Sequence, residues 1–272
     1  MTFEAQFYET DGLWNPDVAS FDDDDFRRVA RMAQLVSPSA RTLIDVGCGN
    51  GIFCNYLAAQ RPDLDIIGVD RSATALRYVK VPHQQASIDA LPFPDEAFDV
   101  VTSFEVLEHL PVPVYNAALR ELTRVAKHAI IVSVPWNQQL GRRQTSCLAC
   151  RTSFDPFLHV RSFDAAAVQG LLHGFGWRCC HSERFGVERW YWGVDHYAAF
   201  IRRGQPPIMR APVCPVCGWR NTGFRQGEAI LPPKSRGHRM AGRVTALPKR
   251  ALRAVWPVVT QPRWICGVYG PE

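Results

Sequence analysis

Between Thr42 and Gln60 the chain reads TLIDVGCGNGIFCNYLAAQ: an apolar run stopped by glycine, two further glycines at alternate positions, then a helix-like stretch. Gly47, Gly49 and Gly51 let the backbone turn tightly and approach a ligand without Cβ interference. The helix over 51–60 places Ile52, Tyr56 and Ala59 on one face and offers free N–H groups at its start. A second strand, DIIGVD over 65–70, ends on Asp70, where a carboxylate can accept both hydroxyls of a ribose. Loop, helix start and acid describe an adenosine-type nucleotide site at the C-terminal edge of a doubly wound α/β sheet. The spacing is G-x-G-x-G rather than the G-x-G-x-x-G of a dinucleotide fingerprint, and there is no P-loop lysine followed by Ser or Thr.

The alternation continues downstream. Ser72 caps a helix over 72–80, 98–104 is a strand, and 114–127 is an amphipathic helix with Ala118, Leu119, Leu122 and Val125 on its apolar face. A further strand covers 129–135. Strands that read as continuous apolar runs between helices indicate a mostly parallel sheet covered on both faces. Upstream, 20–36 reads as a helix with acids in its first turn and Phe26, Val29, Ala30, Ala33 and Val36 facing inward. A helix over 162–176, capped by Ser162, precedes a strand over 177–183. Beyond Gly204 the sequence turns rich in Pro, Gly and Arg, with one helix expected near 249–256 and a late strand over 263–270. Either 195–203 or 263–270 supplies the last strand of the sheet.

The segments LIDVGCGNG, IIGVDRS, LPFPDEAFDVVTSFEVLEHL and LRELTRVAKHAIIVSVP, in that order, resemble the class I S-adenosylmethionine-dependent methyltransferases. The resemblance is to the type 11-like group that methylates quinones, sugars and other small metabolites. It runs from about Arg41 to Pro135 and continues more weakly to about residue 201. It implies a seven-stranded Rossmann-like methyltransferase fold with S-adenosylmethionine as cofactor. On that pattern Asp45, Gly47, Cys48 and Gly49 line the methionine part, and Asp70, with Arg71 beside it, holds the ribose. Ser87 and Ile88 flank the adenine. Many relatives carry aspartate where Ser87 stands, so Asp89 is the substitute for the adenine amine contact. Phe104 and Glu105 close over the cofactor near the acceptor. His109, in EVLEHL, is read as a positional residue. Its alternative role is general base for an acceptor hydroxyl, which wants a pKa near 7. In FYETDGLWN, Tyr8 and Trp14 are the residues expected to lid the site, against simple packing of the leading segment.

TSCLACRTSFDPFLHV follows the fifth strand, and APVCPVCGW stands far downstream. Two sulfurs in Cys-x-x-Cys reach one tetrahedral ion from a tight turn, and two such pairs make a closed structural zinc site of Cys147, Cys150, Cys214 and Cys217. The competing readings are unligated buried thiols, and His159 serving with Cys147 and Cys150. Trp136, Phe157, His159 and Arg161 are otherwise expected on the acceptor side. The other five cysteines, Cys48, Cys54, Cys179, Cys180 and Cys266, read as small core residues.

Three parts are expected: a lid or helical segment over 1–40, a cofactor-binding domain over 41–201 with an insertion at 136–161, and a basic C-terminal extension over 202–272. That extension holds 13 Lys and Arg against two acids, whereas residues 1–201 hold 18 against 24. A basic stretch suits an anionic substrate or surface, or is simply a solvated face. The polar, acidic MTFEAQFYET is read as no signal peptide, and no apolar run approaches the length of about 20 that spans a membrane. The expectation is a soluble, cytoplasmic methyltransferase of a small-molecule acceptor. An RNA methyltransferase that grips phosphates with its basic end, and a non-catalytic binding protein on the same fold, are the alternatives.

Overall fold

The computed structural model describes residues 3–15, 23–140, 144–190, 211–221 and 259–272. Seven strands make the main sheet: β1 (Thr42–Val46), β2 (Asp65–Asp70), β3 (His83–Gln85), β4 (Phe98–Phe104), β5 (Ala126–Pro135), β6 (Trp177–Phe185) and β7 (Trp264–Pro271). Their order is β3-β2-β1-β4-β5-β7-β6, with β7 antiparallel to both neighbours and the other pairings parallel. The helices are α1 (Phe3–Tyr8), α2 (Asp23–Leu35), α3 (Ile52–Gln60), α4 (Ala73–Leu76), α5 (Val112–Val125) and α6 (Ala165–Gln169).

The apolar runs of the strands are explained by burial on both faces. Along β5, Ile130, Val132 and Val134 enter one core with Leu122 of α5 and Val168 of α6. Ile131 between them enters the opposite core with Met32 of α2 and Leu57 of α3. Successive side chains point to opposite faces, so a central strand must be apolar at every position. The strand at the end of the sequence is the one that closes the sheet: β7 lies between β5 and β6, and residues 264–271 are integral to the main sheet. The segment 195–203 and the helix expected near 249–256 lie outside the described residues.

Several local expectations are corrected. α3 buries Phe53, Cys54 and Leu57, not Ile52, Tyr56 and Ala59. IFCNYLAA is apolar almost all round, so its period selects no face. On the α2 segment Val29 and Val36 are buried and Ala33 packs on the core as expected, but Met32 is buried with them and Phe26 is 55% exposed. The 72–80 segment forms only the four-residue α4, capped by Ser72 as expected, whose Oγ accepts from the Ala75 N–H. The 162–176 segment divides into α6 and a 3-10 turn over His173–Phe175. Asp164, not Ser162, caps α6 by accepting from the Ala167 N–H at 2.8 Å. Cys48, Cys54 and Cys266 are buried, but Cys179 is half-buried and Cys180 exposed, because β6 is the edge strand.

Candidate functional site

The loop after β1 and the end of β2 frame a pocket at the C-terminal edge of the sheet. Gly47, Asp70, Arg71, Ser87, Ile88 and Glu105 lie on its wall. Gly47 has φ +79°, and a Cβ there would stand 2.3 Å from Val106 Cγ2, so only glycine fits. At Gly49, with φ +54°, a Cβ would meet the Trp14 ring at 2.9 Å. Asp70 is nearly buried; its Oδ2 accepts from the Gly49 N–H at 2.9 Å and its Oδ1 from the Ser72 N–H at 2.8 Å. Burial pushes its pKa up, and the two backbone donors oppose that shift. Each oxygen keeps a second lone pair, so the carboxylate can still accept two hydroxyls.

Asp45, Cys48 and Phe104 stand beneath the pocket, not on its wall. Asp45 accepts from Thr102 Oγ1 at 2.7 Å and from Cys54 Sγ at 3.3 Å, and burial pushes its pKa up to about 6. Cys48 packs in the core shared by α2 and α3, and Phe104 meets Phe53 edge-on at 4.7 Å. Ser87 Oγ donates to Asp89 Oδ1, which ties these two together.

The N-terminal segment does cross this site. The Tyr8 carbonyl accepts from Ser72 Oγ at 2.9 Å and from Trp14 Nε1, and Asn50 Nδ2 donates to the Trp14 carbonyl at 2.8 Å. Arg71 lies over the Tyr8 ring at 4.6 Å and pairs with Glu4 at 3.2 Å. The Glu9 carboxylate accepts from the N–H groups of Ala73 and Thr74 at 3.1 and 3.0 Å. Glu4 and Glu9 were not legible in the sequence, because nothing in their local spacing links them to residues more than 60 positions away.

A second cavity shares Tyr8, Trp14, Glu105 and His109 with the first. Its far wall includes Trp136, Phe157, His159 and Trp264. Glu105, in the left-handed region at φ 57°, accepts from Trp264 Nε1 at 2.9 Å and Ser133 Oγ at 3.2 Å. Burial pushes the Glu105 carboxyl up; burial, with Glu105 next, pushes Glu108 well above the usual carboxylate range. Burial first and His159 second lower the His109 pKa to about 3, far from the value near 7 that a base would want. Arg161 is not on this wall: its guanidinium lies 3.7 Å over the Tyr115 ring and donates to the Leu110 carbonyl. Gln138 and Trp264 line the cavity without having been singled out in the sequence.

The four cysteines of the two Cys-x-x-Cys pairs converge. Sγ atoms of Cys147 and Cys217, and of Cys150 and Cys214, stand 3.7 Å apart, and all four thiols are free. Four sulfurs at about 2.3 Å from one tetrahedral ion stand about 3.8 Å from each other, so the set fits zinc. The two halves share one construction. The N–H groups of Arg151 and Gly218, each just after the second cysteine, donate to the carbonyls of Cys147 and Cys214, with φ 65° and 71°. His159 is not in this group; it stands with Glu108 and His109. Cys147 and Cys214 pack with Phe7, Ala211 and Val213, and against Tyr8 and Leu13, so the cluster underpins the segment that crosses the pocket.

Among the described residues no helix is long and apolar enough to cross a membrane. A probable S-adenosylmethionine-dependent methyltransferase of Mycobacterium tuberculosis is 32% identical over 156 residues, covering 54% of this chain and 53% of that protein. A ubiquinone biosynthesis O-methyltransferase of Candida albicans is 34% identical over 95 residues, covering 30% of this chain and 29% of that one. The chain thus spans about half, or less, of the length of these curated relatives. A solved S-adenosylmethionine-dependent methyltransferase from Archaeoglobus fulgidus superimposes with a TM-score of 0.52 at 15% identity, covering 91% of this chain and 94% of that one. The [4+2]-cyclase SpnF reaches 0.54 at 16%, covering 95% and 85%. Those two likenesses are of fold alone. A family model described as a methyltransferase domain matches residues 21–182, well over half of the chain, which therefore belongs to the class I S-adenosylmethionine-dependent methyltransferases.

Proposed function

We propose that this chain transfers a methyl group from S-adenosylmethionine to a small-molecule acceptor. The observation that carries this reading is the pair of adjoining cavities with one shared wall. One cavity has the glycine loop and Asp70; the other is lined by Trp136, Phe157 and Trp264, which suits a small, flat, largely apolar metabolite. The name of the C. albicans relative, a ubiquinone biosynthesis O-methyltransferase, supports a small acceptor of this kind.

When bound, the cofactor supplies an activated methyl group on a sulfonium. The chain's own residues bind, align and enclose. Asp70 offers lone pairs to the ribose, and Gly47 and Gly49 bring backbone close to the methionine end. Tyr8 and Trp14 cover the junction between the cavities and exclude water from it. Alignment of acceptor and methyl group within such an enclosure is the main source of rate in this chemistry. Cys147, Cys150, Cys214 and Cys217 hold a structural zinc ion: four thiolates leave no open position, so this ion holds fold together and takes no substrate. In this reading the setting is cytoplasmic, where thiols stay reduced and available to the metal.

Calorimetry with S-adenosylmethionine tests the reading. Binding in wild type, weakened at least tenfold in Asp70→Ala with the fold intact, is the expected result. No binding by a folded wild-type chain would remove the proposal in favour of a non-catalytic binding protein.

A further inference from the structure

We propose that Cys150 and Cys217 are oxidant-sensing thiolates, and that their oxidation empties the zinc cluster and releases the N-terminal segment from the cofactor pocket. The inference rests on the zinc reading above. The four sulfurs differ in access: Cys147 and Cys214 are buried, while Cys150 and Cys217 are exposed. Each exposed sulfur has a buried one 3.7 Å away, Cys217 with Cys147 and Cys150 with Cys214. An accessible thiolate beside a second that can resolve it is the arrangement that oxidants select.

The segment that responds is α1, which is held from two sides. Phe3 and Phe7, four residues apart, make one face; Glu4 and Tyr8 make the next. On the first face Phe7 is 4% exposed in a core with Cys147, Ala211, Val213 and Cys214. The Phe3 ring lies so close over Gly218 that a Cβ there would stand 2.4 Å from its Cε1. Arg220 Nη2 also donates to Gln6 Oε1 at 2.9 Å. On the second face Glu4 and Tyr8 line the cofactor pocket, where Glu4 pairs with Arg71 at 3.2 Å. A helix of six residues does not hold itself together in water, so α1 depends on what it packs against.

That support depends in turn on the metal. The cysteine loops carry two-residue strands, Thr145–Ser146 paired with Ser153–Phe154, and a single bridge between Val213 and Arg220. The core they share with Phe7 has five buried residues. A core of that size needs a staple to persist, and zinc on four thiolates is one.

The oxidant class is a peroxide. The Cys217 thiolate attacks one peroxide oxygen: an S–O bond forms, the O–O bond breaks and hydroxide leaves. The Cys147 thiolate then attacks the oxidised sulfur: an S–S bond forms, the S–O bond breaks and a second hydroxide leaves. The two sulfurs give up two electrons, the peroxide takes them, and both hydroxides gain solvent protons to become water. Zinc keeps only two of its thiolates and dissociates as Zn²⁺. A second peroxide takes Cys150 and Cys214 through the same steps. Phe7 loses its seat, α1 loosens, and Glu4 and Tyr8 leave the pocket wall.

The test treats the full, zinc-loaded, reduced chain with hydrogen peroxide. Zinc release is read with a metallochromic chelator, backbone exchange over residues 3–15 by mass spectrometry, and S-adenosylmethionine affinity by calorimetry. Peroxide should release the zinc, raise exchange over 3–15 and weaken the cofactor by about tenfold or more. Dithiothreitol with Zn²⁺ should restore all three. The double variant Cys150→His, Cys217→His leaves a Cys₂His₂ set that still suits structural zinc and removes both exposed sulfurs; it should keep its metal at the peroxide dose that empties wild type. Should that variant fail to fold, wild type before and after peroxide carries the comparison. Zinc retained under peroxide overturns the proposal, as does zinc released with exchange over 3–15 unchanged. A chain that purifies without zinc removes the zinc reading and this one with it. A reduced chain without cofactor affinity removes the methyl-transfer reading alone, since zinc release and exchange over 3–15 still decide this one.

Discussion

Gly47→Ala probes the turn on which the cofactor pocket depends. At φ +79° an L-residue costs about 1–2 kcal/mol more than glycine. The added Cβ would also stand 2.3 Å from Val106 Cγ2, and relieving such overpacking costs about 1–3 kcal/mol. Together the loss is about 2–5 kcal/mol, a large share of the stability of an ordinary domain. Val106 also lines the pocket, so its displacement should weaken S-adenosylmethionine as well. Urea unfolding and calorimetry measure the two effects. A double-mutant cycle separates the causes: Val106→Ala relieves the clash and leaves the backbone cost, giving a coupling of about 1–3 kcal/mol. If Gly47→Ala unfolds within about 0.5 kcal/mol of wild type and binds cofactor equally well, the left-handed turn and its contact with Val106 are refuted.

Other outcomes follow from the same geometry. Cys214→Ser should lose stoichiometric zinc by elemental analysis and lower Tm; because the cluster packs on Phe7 and Tyr8, cofactor affinity should fall too, and unchanged metal content would sink the zinc reading. Arg151 holds φ 65° where its counterpart is Gly218, so Arg151→Gly should stabilise by about 0.5–1 kcal/mol after glycine's entropy cost is subtracted; a lower thermal midpoint would contradict this. Asp45 has its pKa raised from 3.8 to about 6 by burial. A raised acid gives its full contribution below the unfolded pKa and loses it as pH climbs through the folded one. Asp45→Asn should therefore gain on wild type between about pH 4 and pH 7, by about 3 kcal/mol, and parallel pH profiles of urea stability would refute it.

What was legible in the sequence was carried by short-range pattern. Gly47, Asp70 and the two Cys-x-x-Cys pairs announce themselves by spacing to near neighbours, and apolar strands announce a sheet covered on both faces. What was not legible depends on distant segments meeting. Glu108 and His109 meet His159 where two distant segments pair, the Val160 N–H donating to the Glu108 carbonyl. The cap of α6 went to Asp164 over Ser162 because both residue types cap helices equally well; the chain path, not local preference, selects between them. The inward face of α3 was hidden by a segment apolar on nearly every side. The lowered pKa of His109 was not legible either, because burial and a second imidazole from a distant segment set it.

The position of β7 has a consequence for synthesis. Pairing across β5, β7 and β6 needs a strand that leaves the ribosome about 80 residues after β6 does. Until residue 271 emerges, the nascent chain carries two strands with unpaired edges and an uncovered place for Ile265, Cys266 and Tyr269. Exposed edges of this kind attract other chains. Completion of this sheet should therefore wait on synthesis of residues 264–271, and a pause after Phe185 should prolong the exposure of those edges.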